Sequence, residues 1–251
     1  MTMSVEQELA GKVAIVTGST RRMGRAIANR LAEAGASIVV NGKASVENAA
    51  TVAREIEAKG ARSLAIMADI TKPDEVQRMV DQTLAEFGRI DILVNTVALR
   101  HHHSLAKTSL DEWHEVLASV LDGSFLCSKA CAPHLVAHQG TIVNIGGASA
   151  HFGVKDHAAV MTAKMGLIGL TRALALDLGP EVVVNCLIPG RIDAPEERRT
   201  ASGNYPLERI PAKRAGTLEE VAEAVLMLCN PRCRFINAQA VHISGGMLYG
   251  I

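Results

Sequence analysis

The sequence predicts an α/β protein: a doubly wound parallel sheet of about seven strands with helices on both faces. Three observations predict it. Short apolar, β-branched runs alternate with stretches of helical periodicity along nearly the whole chain, an interval that implies right-handed crossovers between parallel strands. Glycines gather at the ends of the runs, Gly18 and Gly24 after the first, Gly190 after the sixth and Gly245-Gly246 after the last. No linker, repeat or low-complexity segment interrupts the pattern, so residues 1–251 read as one domain.

The elements follow in order. Val13 to Thr17 is too short for a helix and suits a buried strand, and Gly18 ends it. From Met23 the spacing turns helical, with Met23, Ala26, Ile27 and Leu31 on one face and Gly35 as the stop. Ser37 to Val40 is the second strand, ending at Asn41-Gly42-Lys43, and a helix covers Val46 to Ala58. Leu64 to Ala68 is the third strand, closed by Asp69-Ile70, and Asp74 to Phe87 is a helix with Val76, Met79, Val80 and Leu84 inward. Asp91 to Asn95 is the fourth strand, followed by a polar, histidine-rich loop from Arg100 to Thr108. Ser109 with Glu112 makes a capping box for a helix that presents Trp113, Val116, Leu117 and Val120 on one side. Thr141 to Ile145 is the fifth strand, Lys164 to Leu178 belongs to a long helix, and Val182 to Ile188 is the sixth strand. After a charged loop, Thr217 and Glu220 cap the last helix and Ala240 to Ile243 is the seventh strand.

Composition excludes several functions. With a formal net charge of zero there is no general attraction to nucleic acid or anionic lipid. The first ten residues lack the apolar core of a signal peptide and no run of 18 apolar residues follows, which points to a cytoplasmic protein. The five cysteines include no C-x-x-C pair and read as structural thiols, and no metal site is expected. The run His101-His102-His103 does not change this, because adjacent loop residues rarely aim three imidazoles at one point.

A strand, a tight turn and a helix N-terminus near the start of the chain form a cradle for a pyrophosphate. The residues Thr17, Gly18, Ser19, Arg21, Arg22 and Gly24 do not spell G-x-G-x-x-G; they resemble the T-G-x-x-x-G-x-G loop of short-chain dehydrogenases/reductases, with Arg22 on the middle glycine. The resemblance spans about Leu9 to Gly246 and includes Asp69, Asn95, Pro189-Gly190 and the helix around Lys164. It implies a Rossmann-type fold, a nicotinamide dinucleotide, a small-molecule substrate and assembly as a homotetramer or a hetero-oligomer with an active relative. It also implies cofactor contacts from Thr17, Gly18, Ser19, Arg21, Arg22, Gly24, Asn41, Lys43, Asp69, Ile70, Asn95, Lys164, Pro189, Gly190 and Ile192.

Cofactor preference follows from charge. An acid after the second strand would hold the ribose 2′-hydroxyl of NAD, but Asn41, Gly42 and Lys43 stand there. Arg21 and Lys43 instead suit a 2′-phosphate, so NADP(H) is preferred over NAD(H). Arg22 sits where the backbone approaches the pyrophosphate, and either binds it or obstructs it.

The family's Asn-Ser-Tyr-Lys tetrad is incomplete. Its asparagine falls on Val120, its serine on Gly147 and its tyrosine on Val160; Lys164 alone is retained. Valine has no proton to give, and acid–base catalysis contributes roughly 10²–10⁴-fold. Replacement groups stand near by: His101 to His103 after strand four, Ser149, His151 and His157 after strand five, and Tyr205 in the covering loop. Tyr249, near the C-terminus, suits a subunit interface. Three functions are then consistent with the residues. One is an NADP(H)-binding oxidoreductase that routes its proton through other acids. The second is a lyase or hydratase on the same fold, and the third is a silent paralogue serving as a structural subunit.

Overall fold

The computed structural model describes residues 7–193 and 205–248. Seven strands among them form one sheet: β1 (Val13–Thr17), β2 (Ser37–Gly42), β3 (Ser63–Met67), β4 (Ile92–Asn95), β5 (Thr141–Ile145), β6 (Val183–Pro189) and β7 (Ala240–Ile243). Their order is β3-β2-β1-β4-β5-β6-β7, every neighbouring pair parallel. The winding reverses between β1 and β4, which opens a crevice at the carboxyl edge of the sheet where ligands bind in such folds.

The helices are α1 (Arg22–Glu33), α2 (Val46–Ala58), α3 (Pro73–Phe87), α4 (Leu110–Leu117), α5 (Gly123–Ala137), α6 (Ser149–Phe152), α7 (Ala158–Asp177) and α8 (Leu218–Cys229). Strand alternation sorts them into two layers. Ala14 and Val16 face α1, α2 and α8, while Ile15 faces the other way, among the buried side chains of α3 and α5. Every residue of β1, β4, β5 and β6 is buried, as expected of parallel strands covered on both faces.

Most elements fall within a residue or two of their predicted bounds. The helix carrying Trp113 and Val120 differs. It stops at Leu117, five residues of π-helix run from Ala118 to Asp122, and α5 resumes at Gly123. Gly123 packs so closely on Ile70 that a Cβ there would meet Ile70 Cδ1 at 2.7 Å. Ser124 Oγ donates to the Val120 carbonyl at 2.7 Å within this widened turn. Hydrophobic spacing alone does not report such an insertion.

At the opposite edge of the sheet Asp91 accepts from Lys12 Nζ and the Val13 amide, both at 3.0 Å, and from Arg89 Nε at 2.8 Å. Burial alone would raise its carboxyl, but the Arg89, Val13 and Lys12 donors outweigh it and hold Asp91 below the usual carboxylate range. By length and composition alone, α7 could cross a membrane. Here it lies along β5 and β6 and buries Ala163, Lys164, Leu167 and Thr171.

Candidate active site at the carboxyl edge of the sheet

The β1–α1 loop is built for close approach. Gly18 has φ +62°, and a Cβ on Gly24 would meet the Gly18 carbonyl oxygen at 2.4 Å, so the helix seats directly on the loop. Arg21 takes the N-cap position of α1 without a side-chain cap, and the first turn carries no acid. Its amides and partial positive charge are therefore suited to phosphate. Arg22 adopts φ +51°, the left-handed conformation that a glycine at this place would take. The loop keeps its glycine geometry with an arginine in it, at a backbone cost of about 1–2 kcal/mol. Arg22→Gly should accordingly be more stable than Arg22→Ala by about 1 kcal/mol, the reverse of the usual helical order. Urea denaturation of the two variants decides this, and an alanine variant at least as stable would refute it.

Several residues expected to touch the cofactor have side chains that brace the cradle. Asn41 is 1% exposed; its Oδ1 accepts from the Gly18 amide at 3.2 Å, and its Nδ2 donates to the Ile66 and Ala68 carbonyls. It holds the loop against β2 and β3 with its side chain spent. Ser19 is fully buried and its Oγ accepts from the Asn41 amide at 3.0 Å. Thr17 Oγ1 donates to the Val94 carbonyl and accepts from the Thr96 amide, tying β1 to β4. Ile70 is buried under the start of α5. A short polar side chain at a strand end looks the same in sequence whether it faces a ligand or the neighbouring strand.

The charged corner is only partly as expected. The Arg21 guanidinium is exposed and makes no ion pair among the described residues. Lys43 Nζ lies 2.9 Å from Asp69 Oδ2. Burial would raise the Asp69 carboxyl, yet Lys43 and the Thr71 amide and hydroxyl outweigh it and lower the pKa. Lys43 therefore shares its charge, which Arg21 does not.

Around the proton-handling position, α7 places His157 as its N-cap, Val160 one turn on and Lys164 one turn further, all on one face. Val160 is 7% exposed and Val120 is fully buried. Gly147 follows β5, and a Cβ there would lie 3.9 Å from Ser149 Oγ and 4.0 Å from Lys164 Cγ, in ordinary contact. Lys164 Nζ donates to the Ile145 carbonyl at 2.5 Å. Burial, with a smaller push from Arg100, lowers the Lys164 ammonium to about 7, slightly opposed by Cys186. Asn95 donates to Asn144 Oδ1 at 2.9 Å, Asn144 to Thr171 Oγ1 at 2.9 Å, and Asn95 Oδ1 is buried without a partner. Pro189 accepts from the Ala148 amide, and a Cβ on Gly190 would meet Ser244 Cα at 2.8 Å. Ile192 bridges to Gly216 beyond β6.

The histidine run divides by alternation. His101 Nε2 and His103 Nδ1 each lie 3.0 Å from a carboxylate of α4, Glu115 and Glu112 respectively, and the two rings stack. They anchor the loop to α4. His102, between them, turns the opposite way and meets the His157 ring edge-on, centroids 4.4 Å apart. His157 Nδ1 lies 2.6 Å from the Lys155 carbonyl; as the donor there, it leaves Nε2 as the free position of the neutral ring. Among the described residues no group of three or more His, Cys, Asp or Glu is arranged for a metal. Tyr205 meets Phe152 at a tilt, ring centroids 5.6 Å apart, with its carbonyl accepting from Arg191. Ala194 and the charged residues Glu196 to Arg199 lie outside the described residues, as does Tyr249. Arg100 was legible only as the start of a polar loop; that its charge helps to lower the Lys164 ammonium depends on the tertiary fold.

A cradle whose glycines admit no Cβ, an uncapped helix end and an orphaned carboxamide oxygen on Asn95 fit a nicotinamide dinucleotide. Comparison with known proteins agrees. A family model described as enoyl-(acyl carrier protein) reductase matches residues 18–248. The chain is 35% identical over 240 residues to the 3-oxoacyl-[acyl-carrier-protein] reductase FabG of Staphylococcus epidermidis, covering 94% of this chain and 98% of that one. It is 37% identical over 242 residues to (2S)-[(R)-hydroxy(phenyl)methyl]succinyl-CoA dehydrogenase subunit BbsD of Thauera aromatica, covering 95% and 97%. A short-chain dehydrogenase from Burkholderia cenocepacia, solved in complex with NADP, superposes with a TM-score of 0.90 at 35% identity, covering 96% of this chain and 99% of that one. The chain therefore belongs to the short-chain dehydrogenase/reductase family of oxidoreductases.

Proposed function

We propose that this protein is an NADP(H)-dependent oxidoreductase for a small carbonyl or alcohol substrate, in which the His157–His102 pair handles the proton that the family assigns to tyrosine. The observation that carries this reading is the edge-on contact of the two imidazoles, on the α7 face that also bears Val160 and Lys164. Valine at 160 and glycine at 147 leave no hydroxyl, and valine at 120 no carboxamide, at the family positions, whereas imidazole changes charge near neutrality.

When bound, NADPH supplies a hydride to the carbonyl carbon, and the product is an alcohol and NADP⁺. In that direction a protonated His157 releases its Nε2 proton to the substrate oxygen, and in oxidation the neutral ring takes it back. His102 is held below the usual imidazole range by burial and by the charges of His157 and Arg100, so it favours the neutral form. His157→Gln should lower kcat/KM by roughly 10²–10⁴-fold, with NADPH affinity unchanged by fluorescence titration. A variant with full activity would refute the assignment.

Cofactor preference rests on Arg21. Arg21→Ala should weaken NADPH binding about tenfold or more, and NADH binding little, since a charge-assisted hydrogen bond is worth about 1.5–3 kcal/mol. Lys43→Ala should have the smaller effect, because its ammonium already neutralises Asp69. Equal losses for NADPH and NADH in Arg21→Ala would remove the 2′-phosphate reading.

We further take the whole chain as one domain, cytoplasmic and oligomeric. The exposed Phe125 of α5 and Met165 and Leu176 of α7 support a subunit interface on this face. A second reading, a silent subunit paired with an active relative, is favoured by one observation: the relative from Thauera aromatica is named as a subunit. NADPH binding without turnover, and turnover only in a mixed assembly, would decide for it.

A further inference from the structure

We propose that Ser149 is a further catalytic residue of this site, its hydroxyl donating a hydrogen bond to the substrate oxygen while the carbonyl is reduced. This deepens the oxidoreductase reading and rests on it for the chemistry, though not for the contact with the ligand.

Gly147, just beyond β5, leaves an open spot in the crevice. Beyond its chain neighbours, a Cβ there would find only Ser149 Oγ at 3.9 Å and Lys164 Cγ at 4.0 Å within reach. The other glycines of the site are closed, since a Cβ on Gly24 or Gly190 would collide with backbone. The missing side chain thus leaves a hydroxyl on one side of the opening and the buried lysine on the other.

Ser149 belongs to α6, which packs against α7, the helix of Val160 and Lys164. The turn that carries it is fixed by its own backbone. The Ala148 amide donates to the Pro189 carbonyl at 2.9 Å, and the Ala150 amide to the Gly147 carbonyl at 3.2 Å. The Gly153 amide donates to the Ser149 carbonyl at 3.2 Å. Ser149 is half-buried, and its hydroxyl has no partner among the described residues. Other hydroxyls of these strands and helices are committed to the fold: Thr17 to the Val94 carbonyl, Ser124 to that of Val120 and Ser128 to that of Ser124.

Negative charge grows on the carbonyl oxygen as its carbon is reduced, and a donor already held in place stabilises that charge most. With glycine at 147, the serine two residues on brings its oxygen close to where a side chain at 147 would carry one. Ser149 keeps its own proton throughout; the proton that completes the alcohol comes from His157.

The probe is methyl phenylglyoxylate. With NADPH, Ser149→Ala should lower kcat by roughly 10²-fold. Titrated calorimetrically into protein saturated with NADP⁺, where no reduction can occur, the ketone should bind Ser149→Ala about three- to tenfold more weakly than the parent. Adding Gly147→Ser to Ser149→Ala returns a hydroxyl to the same opening and should restore at least about tenfold of the lost kcat. Adding Gly147→Ala instead should restore none. Gly147 is not among the glycines of positive φ, so neither substitution strains the backbone, and melting temperatures near that of the parent should show the variants folded. A Ser149→Ala variant with full kcat, or a loss that Gly147→Ser and Gly147→Ala repair equally, overturns the proposal. Binding that weakens in Ser149→Ala and recovers with Gly147→Ser, but without NADPH oxidation in any variant, would sink the oxidoreductase reading and leave the hydroxyl contact standing. Turnover indifferent to Ser149→Ala does the reverse. A parent that neither binds nor reduces the ketone counts against both.

Discussion

Introduced together into a His157→Gln background, Gly147→Ser and Val160→Tyr should raise carbonyl reduction with NADPH by roughly 10²–10⁴-fold over that background. The geometry around the first position permits it. A side chain at 147 enters ordinary contact distance of Ser149 Oγ and Lys164 Cγ, so a serine hydroxyl arrives beside the lysine without displacing anything. At 160 the helical spacing to Lys164 is that of the family's tyrosine and lysine, one turn apart on one face of α7. The new ring must enter a partly filled region, since Val160 packs among Ala148, Ala159, Cys186 and Ile188. Overpacking there should cost about 1–3 kcal/mol of stability, which melting curves would register. The control is Gly147→Ser with Val160→Phe, which adds the ring without the phenol. Equal rates for the tyrosine and phenylalanine variants would show that the phenol is not delivered to the reacting oxygen.

Lys164→Met should stabilise the fold at neutral pH by about 2–4 kcal/mol, while abolishing turnover. A lysine in the unfolded chain titrates near 10.5, and this one is lowered to about 7 by burial and by Arg100. Between those values the unfolded chain holds a proton that the folded chain lacks, so stability rises with pH across that window. Below about pH 7 the penalty is complete and constant. Above 10.5 it vanishes. The gain from methionine, which fills the same space without a charge, should therefore be largest at pH 7 and below and fade toward pH 10. Melting temperatures of parent and variant, compared across that range, test both sign and shape. A variant no more stable at pH 7 than at pH 10 would mean that the ammonium is not buried at a cost. The unfavourable burial of Lys164 is then a price the fold carries for its site.

How far the sequence reached depended on the kind of signal. Strands β1, β5 and β7 and helix α2 match their predicted bounds, because each is a short apolar run or a clean helical face stopped by glycine or a cap. Both capping boxes, Ser109 with Glu112 and Thr217 with Glu220, form as the residues indicate, since a cap is decided by neighbours three apart. The π-helical segment at Ala118–Asp122 gave no such local sign; Gly123, which follows it, packs against Ile70 from a distant segment.

The local pattern alone determined the alternation of strand and helix, the glycine cradle, the absence of hydroxyls at 147 and 160 and the absence of a carboxamide at 120. Each is a property of residue type at a given spacing, and spacing survives without coordinates. Only the tertiary structure decided which side chains of the cradle are spent as braces, that His102 parts from His101 and His103 to meet His157, and that Lys164 is buried with its ammonium on the Ile145 carbonyl. Those are matters of direction and burial between segments far apart in the chain. They follow from which strands become neighbours in the sheet, and no window of sequence contains both partners.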